Sequence, residues 1–245
     1  MKFKYTPYSF SKISTWEQCP RKFKYQYINK LPVERTPQIH LDRGKFIHLL
    51  LEHDGDLEKL KKTKDWKEIK EHGLMSKDAI KDSYWTYLKF KESYTGKSIL
   101  KRKSLLKEFP LGLNENLEII EYDSKDVVLR GYIDAMYVDE KTDTLIVVDW
   151  KTGKVPEKQS YKQLLFYSLG IFSKMPEEYD KILLVYAYID HQVINKQVLY
   201  RKDLERYKKA LYDNIEKIES DTEFVKEESG LCQFCDYFLV CQEDN

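Results

Sequence analysis

The four cysteines restrict this chain more than any other feature. Cys19 stands alone near the start, while Cys232, Cys235 and Cys241 crowd into LCQFCDYFLVC. A C-x2-C-x5-C run with a single distant partner reads as one four-thiolate metal site that draws the two ends of the chain together. Zinc and iron–sulfur clusters are the ordinary occupants of such a site. Zinc sites more often use two C-x2-C knuckles, and only one is present here. The one-plus-three arrangement therefore leans towards a [4Fe–4S] cluster, although spacing alone leaves the metal open. The plainer alternative is four unrelated buried thiols. The opening MKFKYTPYSFSKIS has no apolar stretch of the secretory kind, and no apolar run approaches the ~18 residues of a membrane span. These features lead us to expect a cytoplasmic (intracellular) protein with no membrane partner, whose thiols bind metal rather than pair as disulfides.

The 42 basic and 41 acidic residues balance, so bulk charge does not mark a nucleic-acid binder. Locally, Lys2, Lys4, Lys12, Arg21, Lys22, Lys24 and Lys30 face a single acid, Glu17, and the segment from Lys97 to Lys107 is basic without an acid. A solvated face explains either run taken singly. Aromatic content of 14 % argues against disorder. No repeat or linker divides residues 1–245, which read as a single domain.

The first half reads mostly helical. Ser11 caps a helix through Glu17, Pro20 interrupts it, and Arg21 to Asn29 resumes. Further helices are expected over about Arg43–Glu52 and Lys77–Ser93, with a helical insert over about 55–110. The middle turns to β-branched and aromatic residues: Leu117–Tyr122, Val127–Val138 and Leu145–Trp150 read as strands, with Asp139–Thr144 as a hairpin loop. A helix over Lys158–Phe172, strands over Lys181–Ile189 and Gln192–Tyr200, and a helix over Leu204–Ile218 follow. Together these predict an α/β fold with a mixed central sheet flanked by helices.

The chemistry concentrates in the meander. Asp134 sits inside LRGYIDAMYV, where a charged carboxylate is out of place among strand formers. Asp149 ends LIVVD, and Lys151 projects from the same side two residues on. Two strand-borne carboxylates suit Mg²⁺ or Mn²⁺, and a lysine beside them can orient a water or stabilise charge on a phosphate. Each acid could equally be a strand-end residue paired with a lysine, and D-x-K alone is a weak signal. Gln163 and Tyr167, four apart on a helix, share one face. His48 in GKFIHLLLEH is a further candidate ligand, though a lone helical histidine is usually structural.

Together, SFSKISTWEQCPRKFKYQY, GKFIH, LRGYID, VVDWKTG, QLLFY and the cysteine tail resemble the RecB-type branch of the PD-(D/E)XK nucleases. The match runs from Ser9 to Cys241 in the family's order and is closest to its iron–sulfur members. Those include AddB-type helicase–nucleases, CRISPR-associated RecB-like nucleases and stand-alone viral exonucleases. The resemblance implies a restriction-endonuclease-like core with a [4Fe–4S] cluster on Cys19, Cys232, Cys235 and Cys241. It further implies one or two Mg²⁺ or Mn²⁺ ions held by His48, Asp134, Asp149 and the carbonyl of Trp150. Lys151 becomes the motif lysine, and Gln163 and Tyr167 become the supporting helix motif that also contacts DNA. Some members add a glutamate on the strand before the first aspartate; Glu118 and Glu121 are both candidates. The family's P-D dipeptide is replaced here by Ile133-Asp134. The implied activity is a metal-dependent DNA nuclease, foremost an exonuclease acting on single-stranded or end-containing DNA, with a helicase or recombination protein as a possible partner. The alternatives are a non-catalytic DNA-binding module stapled by a structural cluster, and a zinc-stapled regulatory protein with incidental strand acids.

Overall fold

A computed structural model describes residues 3–33, 38–71 and 73–244; Lys2 of the N-terminal basic group lies outside them. The helices are α1 (Phe10–Gln18), α2 (Pro20–Phe23, continuing as a π turn over Lys24–Ile28), α3 (Ile39–Glu52), α4 (Leu57–Leu60), α5 (Lys64–Glu71), α6 (Lys77–Glu92), α7 (Tyr94–Leu100), α8 (Lys162–Lys174), α9 (Leu204–Ser220) and α10 (Phe238–Glu243). The strands are β1 (Leu106–Leu113), β2 (Ile119–Ile120), β3 (Leu129–Asp139), β4 (Thr144–Lys151), β5 (Lys181–Tyr188) and β6 (Val193–Tyr200). They form one sheet in the order β2-β1-β3-β4-β5-β6. Only β4 and β5 run parallel, joined through α8; the other pairs are antiparallel.

Each face of the sheet carries its own core. On one, Leu113, Ile133, Val147 and Leu184 pack with Ile13, Phe23, Leu164, Phe172, Leu211 and Ile215 from α1, α2, α8 and α9. On the other, Ala135, Val148, Trp150 and Val185 pack with Phe46, Ile47 and Leu50 from α3 and with Tyr87 and Phe90 from α6. The expected mixed sheet between helices is therefore present.

The helical insert ends sooner than the sequence suggested, because β1 occupies Leu106–Leu113. Pro110 and Gly112 conceal the strand. Pro110 is tolerated because β1 pairs with β3 there, while β2 joins only from Gly112 onward, so the missing N–H falls on an unpaired edge. The strand expected over Leu117–Tyr122 shrinks to Ile119–Ile120. Ser9, not Ser11, caps α1, its hydroxyl accepting from the Lys12 N–H at 3.2 Å. The helix expected from Lys158 starts at Lys162.

The C-terminal tail lies against the first helices. The Arg21 guanidinium donates to the Phe224 carbonyl at 3.0 Å, the Trp16 indole to Asp221 at 2.8 Å, and the Tyr25 hydroxyl to Asp244 at 2.5 Å. Cys19, Cys232, Cys235 and Cys241 all line one cavity there, together with Arg21, Lys226, Tyr237 and Phe238.

Phe90 is fully buried and meets Trp150 edge-on at 5.9 Å, supporting β4 from the insert side. Phe90→Ala is expected to cost about 3–5 kcal/mol, read as a lower urea midpoint with an unchanged slope. A loss below about 1 kcal/mol would show that the insert does not brace the sheet.

Candidate active site

Strands β3 and β4 stay paired only from Asp139–Thr144 to Ala135–Val148 and then diverge. Beyond the fork β4 continues as Asp149, Trp150 and Lys151, held by β5 alone. On the far side of the gap the Tyr8 segment bridges β3, accepting from Arg130 N–H at 2.8 Å. The fork leaves the Trp150 peptide without a strand partner on that edge, and side chains take its place. Trp150 N–H donates to Asp134 Oδ2 at 2.7 Å, and the Trp150 carbonyl lies 3.1 Å from His48 Nε2. With Nε2 held there, His48 turns Nδ1 to Asp134 Oδ2, 3.6 Å away.

A local reversal sets where the acids project. Residues two apart on a strand normally share a face, yet Ile133 packs in one core and Ala135 in the other. On β1 the same happens: Phe109 packs in the α8-side core, whereas Lys107 donates to Leu51 O of α3 at 2.8 Å. The paired rungs Lys107–Ala135 and Phe109–Ile133 leave Glu108 and Asp134 opposite one another between them. Glu108 adopts a left-handed backbone, φ +47°, a costly conformation for a glutamate that persists where surroundings enforce it. Ligand atoms of His48, Glu108 and Asp134 consequently lie within 4.8 Å of one another.

Asp149 is 3 % exposed. Its Oδ2 lies 2.6 Å from Lys151 Nζ, which also donates to Gln163 Oε1 at 2.8 Å and sits 4.9 Å over the Tyr186 ring. The Tyr167 hydroxyl bonds Gln163 in turn. Tyr167 lies flat against β3 because residue 131 is glycine: a Cβ there would stand 2.3 Å from its ring. The structure thus brings together the sequence candidates His48, Asp134, Asp149, Trp150, Lys151, Gln163 and Tyr167. Glu118 and Glu121 do not join them. Glu118 pairs with Lys174 at 3.2 Å, and Glu121 is exposed beyond β2. The glutamate on the preceding strand is Glu108, missed because its strand was read as helix.

Three carboxyls crowd this pocket, and burial is the first cause of their upward shifts. Asp134 is pushed up to about 6. Asp149 rises to about 7, with Asp134 repelling it, and Glu108 to about 8, with Asp134 and Glu52 repelling it. Burial lowers His48, keeping its imidazole neutral and able to donate a lone pair. Hard oxygens plus one neutral imidazole, mutually repelling, form a donor set that a divalent cation fits. An open groove reaches His48 and Glu108 from solvent, with His40, Lys45, Asp65 and Thr152 on its walls.

A clamp holds the two halves of the site. Arg43, on the helix of His48, reaches both oxygens of Asp190 at 2.5 and 3.1 Å, and Asp190 accepts the Gly153 N–H at 2.8 Å. Part of each basic run is engaged within the fold. Lys97 pairs with Glu92, Arg102 with Asp139 and Lys107 with Asp54, while Lys12 is enclosed by Tyr8, Phe23 and Tyr27.

No curated protein matches the chain at significance. Among solved structures, the crystal structure of SSO0001 is similar with a TM-score of 0.43 and 16 % identity, over 100 % of this chain and 89 % of that one. The family model described as the PD-(D/E)XK nuclease superfamily matches residues 7–242. With its acids and lysine gathered at the open end of a mixed sheet, the chain belongs to the PD-(D/E)XK nuclease superfamily.

Proposed function

We propose that the chain is a Mg²⁺- or Mn²⁺-dependent deoxyribonuclease, an exonuclease on single-stranded or end-containing DNA working beside a helicase or recombination protein. The observation that carries the nuclease chemistry is the convergence of His48, Glu108, Asp134 and Asp149 with Lys151 at the β3–β4 fork. The exonuclease choice rests on the resemblance to stand-alone members of the RecB branch.

His48, Glu108, Asp134 and Asp149 would hold the ion, with the Trp150 carbonyl completing an oxygen-rich set. Such an ion supplies Lewis acidity to a phosphodiester and lowers the pKa of water. Lys151, steadied by Asp149 and Gln163, orients the attacking water and offsets charge growing on the phosphate. Tyr167 fixes Gln163, so the helix motif acts through the lysine. A module that only bound DNA would have no use for Asp134 and Asp149 beside one lysine with Glu108 crowded against them, which disfavours the non-catalytic alternative.

The same reading gives the four cysteines a [4Fe–4S] cluster that acts as a clasp. Their shared cavity supports this: a single zinc draws its sulfurs to within about 4 Å of one another, whereas a multi-iron cage fills a void between them. Arg21 and Lys226 line the cavity and suit the net negative charge of such a cluster. Binding free energy there becomes folding free energy.

Three outcomes are expected. Lys151→Ala should lower Mg²⁺-dependent loss of end-labelled linear DNA by about 10²-fold or more, sparing a closed circle as wild type does; equal rates would refute the assignment. In EDTA the acid cluster binds more protons in the folded chain than in the unfolded one from about pH 4, the ordinary carboxylate range, to about pH 8. The acid cluster's contribution to stability is therefore full near the low end and lost as pH rises through 6 to 8. Glu108→Gln should flatten this decline and shrink the Mg²⁺-induced rise in Tm at pH ~8; a decline as steep as wild type would remove Glu108 from the cluster. Cys235→Ala, purified without oxygen, should lose a brown absorbance near ~400 nm and several degrees of Tm. A colourless wild type containing zinc would replace the cluster with zinc.

A further inference from the structure

One exposed aromatic group stands apart from the rest by its position. Along β3, Leu129, Gly131 and Ile133 turn inward, so Arg130 and Tyr132 share the outer face and lead up to Asp134. Tyr132 is 47 % exposed although it lies two residues from a site carboxylate. The Tyr122 ring lies 4.9 Å from it at 43°, and Arg130 covers Tyr122 at 5.5 Å. Tyr122 reaches this place because Gly112 has no side chain; a Cβ there would stand 3.0 Å from the Tyr122 Cα. Pro110, opposite Tyr132 on β1, is exposed as well, so this end of the sheet stays open among the described residues. Tyr94 and Phe234 are more exposed at 90 % and 74 %, but neither belongs to a strand that carries a site acid.

We propose that Tyr132 and Tyr122, with Arg130, form a stacking platform for a base of single-stranded nucleic acid whose backbone enters the Asp134 site. The inference rests on the nuclease reading and narrows its substrate class. Aromatic faces stack on any base, and an adjacent guanidinium attracts phosphate, which is the combination single-strand binders use. Within a duplex the bases are paired and stacked on one another, so away from its ends it offers no free base face to the ring. The platform therefore selects for strands already unpaired beside the acids.

The test is fluorescence anisotropy of labelled oligodeoxythymidine in EDTA, with wild type, Tyr132→Thr and Tyr132→Phe. Threonine keeps strand propensity, so Tm reports whether the sheet edge is intact. Tyr132→Thr should weaken binding about tenfold and Tyr132→Phe less than about threefold. An oligonucleotide of abasic residues should bind wild type about tenfold more weakly and no longer separate wild type from Tyr132→Thr. With Mg²⁺ the threonine variant should show its loss in KM. Equal binding of both variants and wild type, or an abasic penalty of the same size in wild type and Tyr132→Thr, would overturn the platform. If the threonine variant fails to fold, absence of an abasic penalty in wild type overturns it instead. A wild type that cuts linear DNA with no such penalty sinks only the platform. A wild type that neither binds nor cuts sinks the nuclease reading with it.

Discussion

The hydrogen bond from the Trp150 N–H to the Asp134 carboxylate, 2.7 Å long, is the interaction on which the site depends. A strand that leaves its neighbour exposes peptide groups, and burying them unpaired costs about 1–3 kcal/mol each. Here the separation of β3 from β4 creates that demand, and Asp134 and His48 meet it at the N–H and the carbonyl of one residue. Folding thus pins two candidate ligand side chains with bonds that the sheet itself would otherwise have made. Trp150 is anchored on its other face among the insert helices, so the peptide has little freedom to drift.

The second constraint is the reversal shared by β1 and β3. Two strands exchange faces at the same rung, and the residues at the crossing are the glutamate and aspartate that meet His48. An ordinary pleat would have sent each acid into an apolar core. The left-handed backbone of Glu108 is the local strain that buys this placement. Charge repulsion among the acids adds to the cost, which the two apolar cores offset.

Much of this was legible in the residues. Asp134, Asp149 and Lys151 stood out because charges interrupt runs of strand formers, and Gln163 and Tyr167 because four residues make one helical turn. The β3–β4 hairpin and the two later strands followed from runs of β-branched and aromatic residues set between polar turns. Glu108 was hidden for a definite reason: Pro110 and Gly112 suppress the strand signal, and the unpaired edge of β1 that tolerates the proline exists only in three dimensions. Ser11 reads as the cap, but the helical backbone already begins at Phe10, so the role falls to Ser9. The single strand Leu117–Tyr122 shortened because β2 has just two residues of β1 to pair with. No pattern in the sequence pairs Arg43 with Asp190, since 147 residues separate them.

That clamp decides when the site is ordered. Arg43 binds the helix of His48 to the turn that follows Lys151, through an aspartate at the end of a third segment. Histidine and lysine are therefore brought together during folding, not on the arrival of an ion. The entropy of assembling the site is spent once, in the life of the chain, rather than at every turnover. An ion meeting such a cage would find its coordination sphere already drawn, so discrimination between a small cation and a larger one would fall to the fixed spacing of oxygens and not to any rearrangement around it.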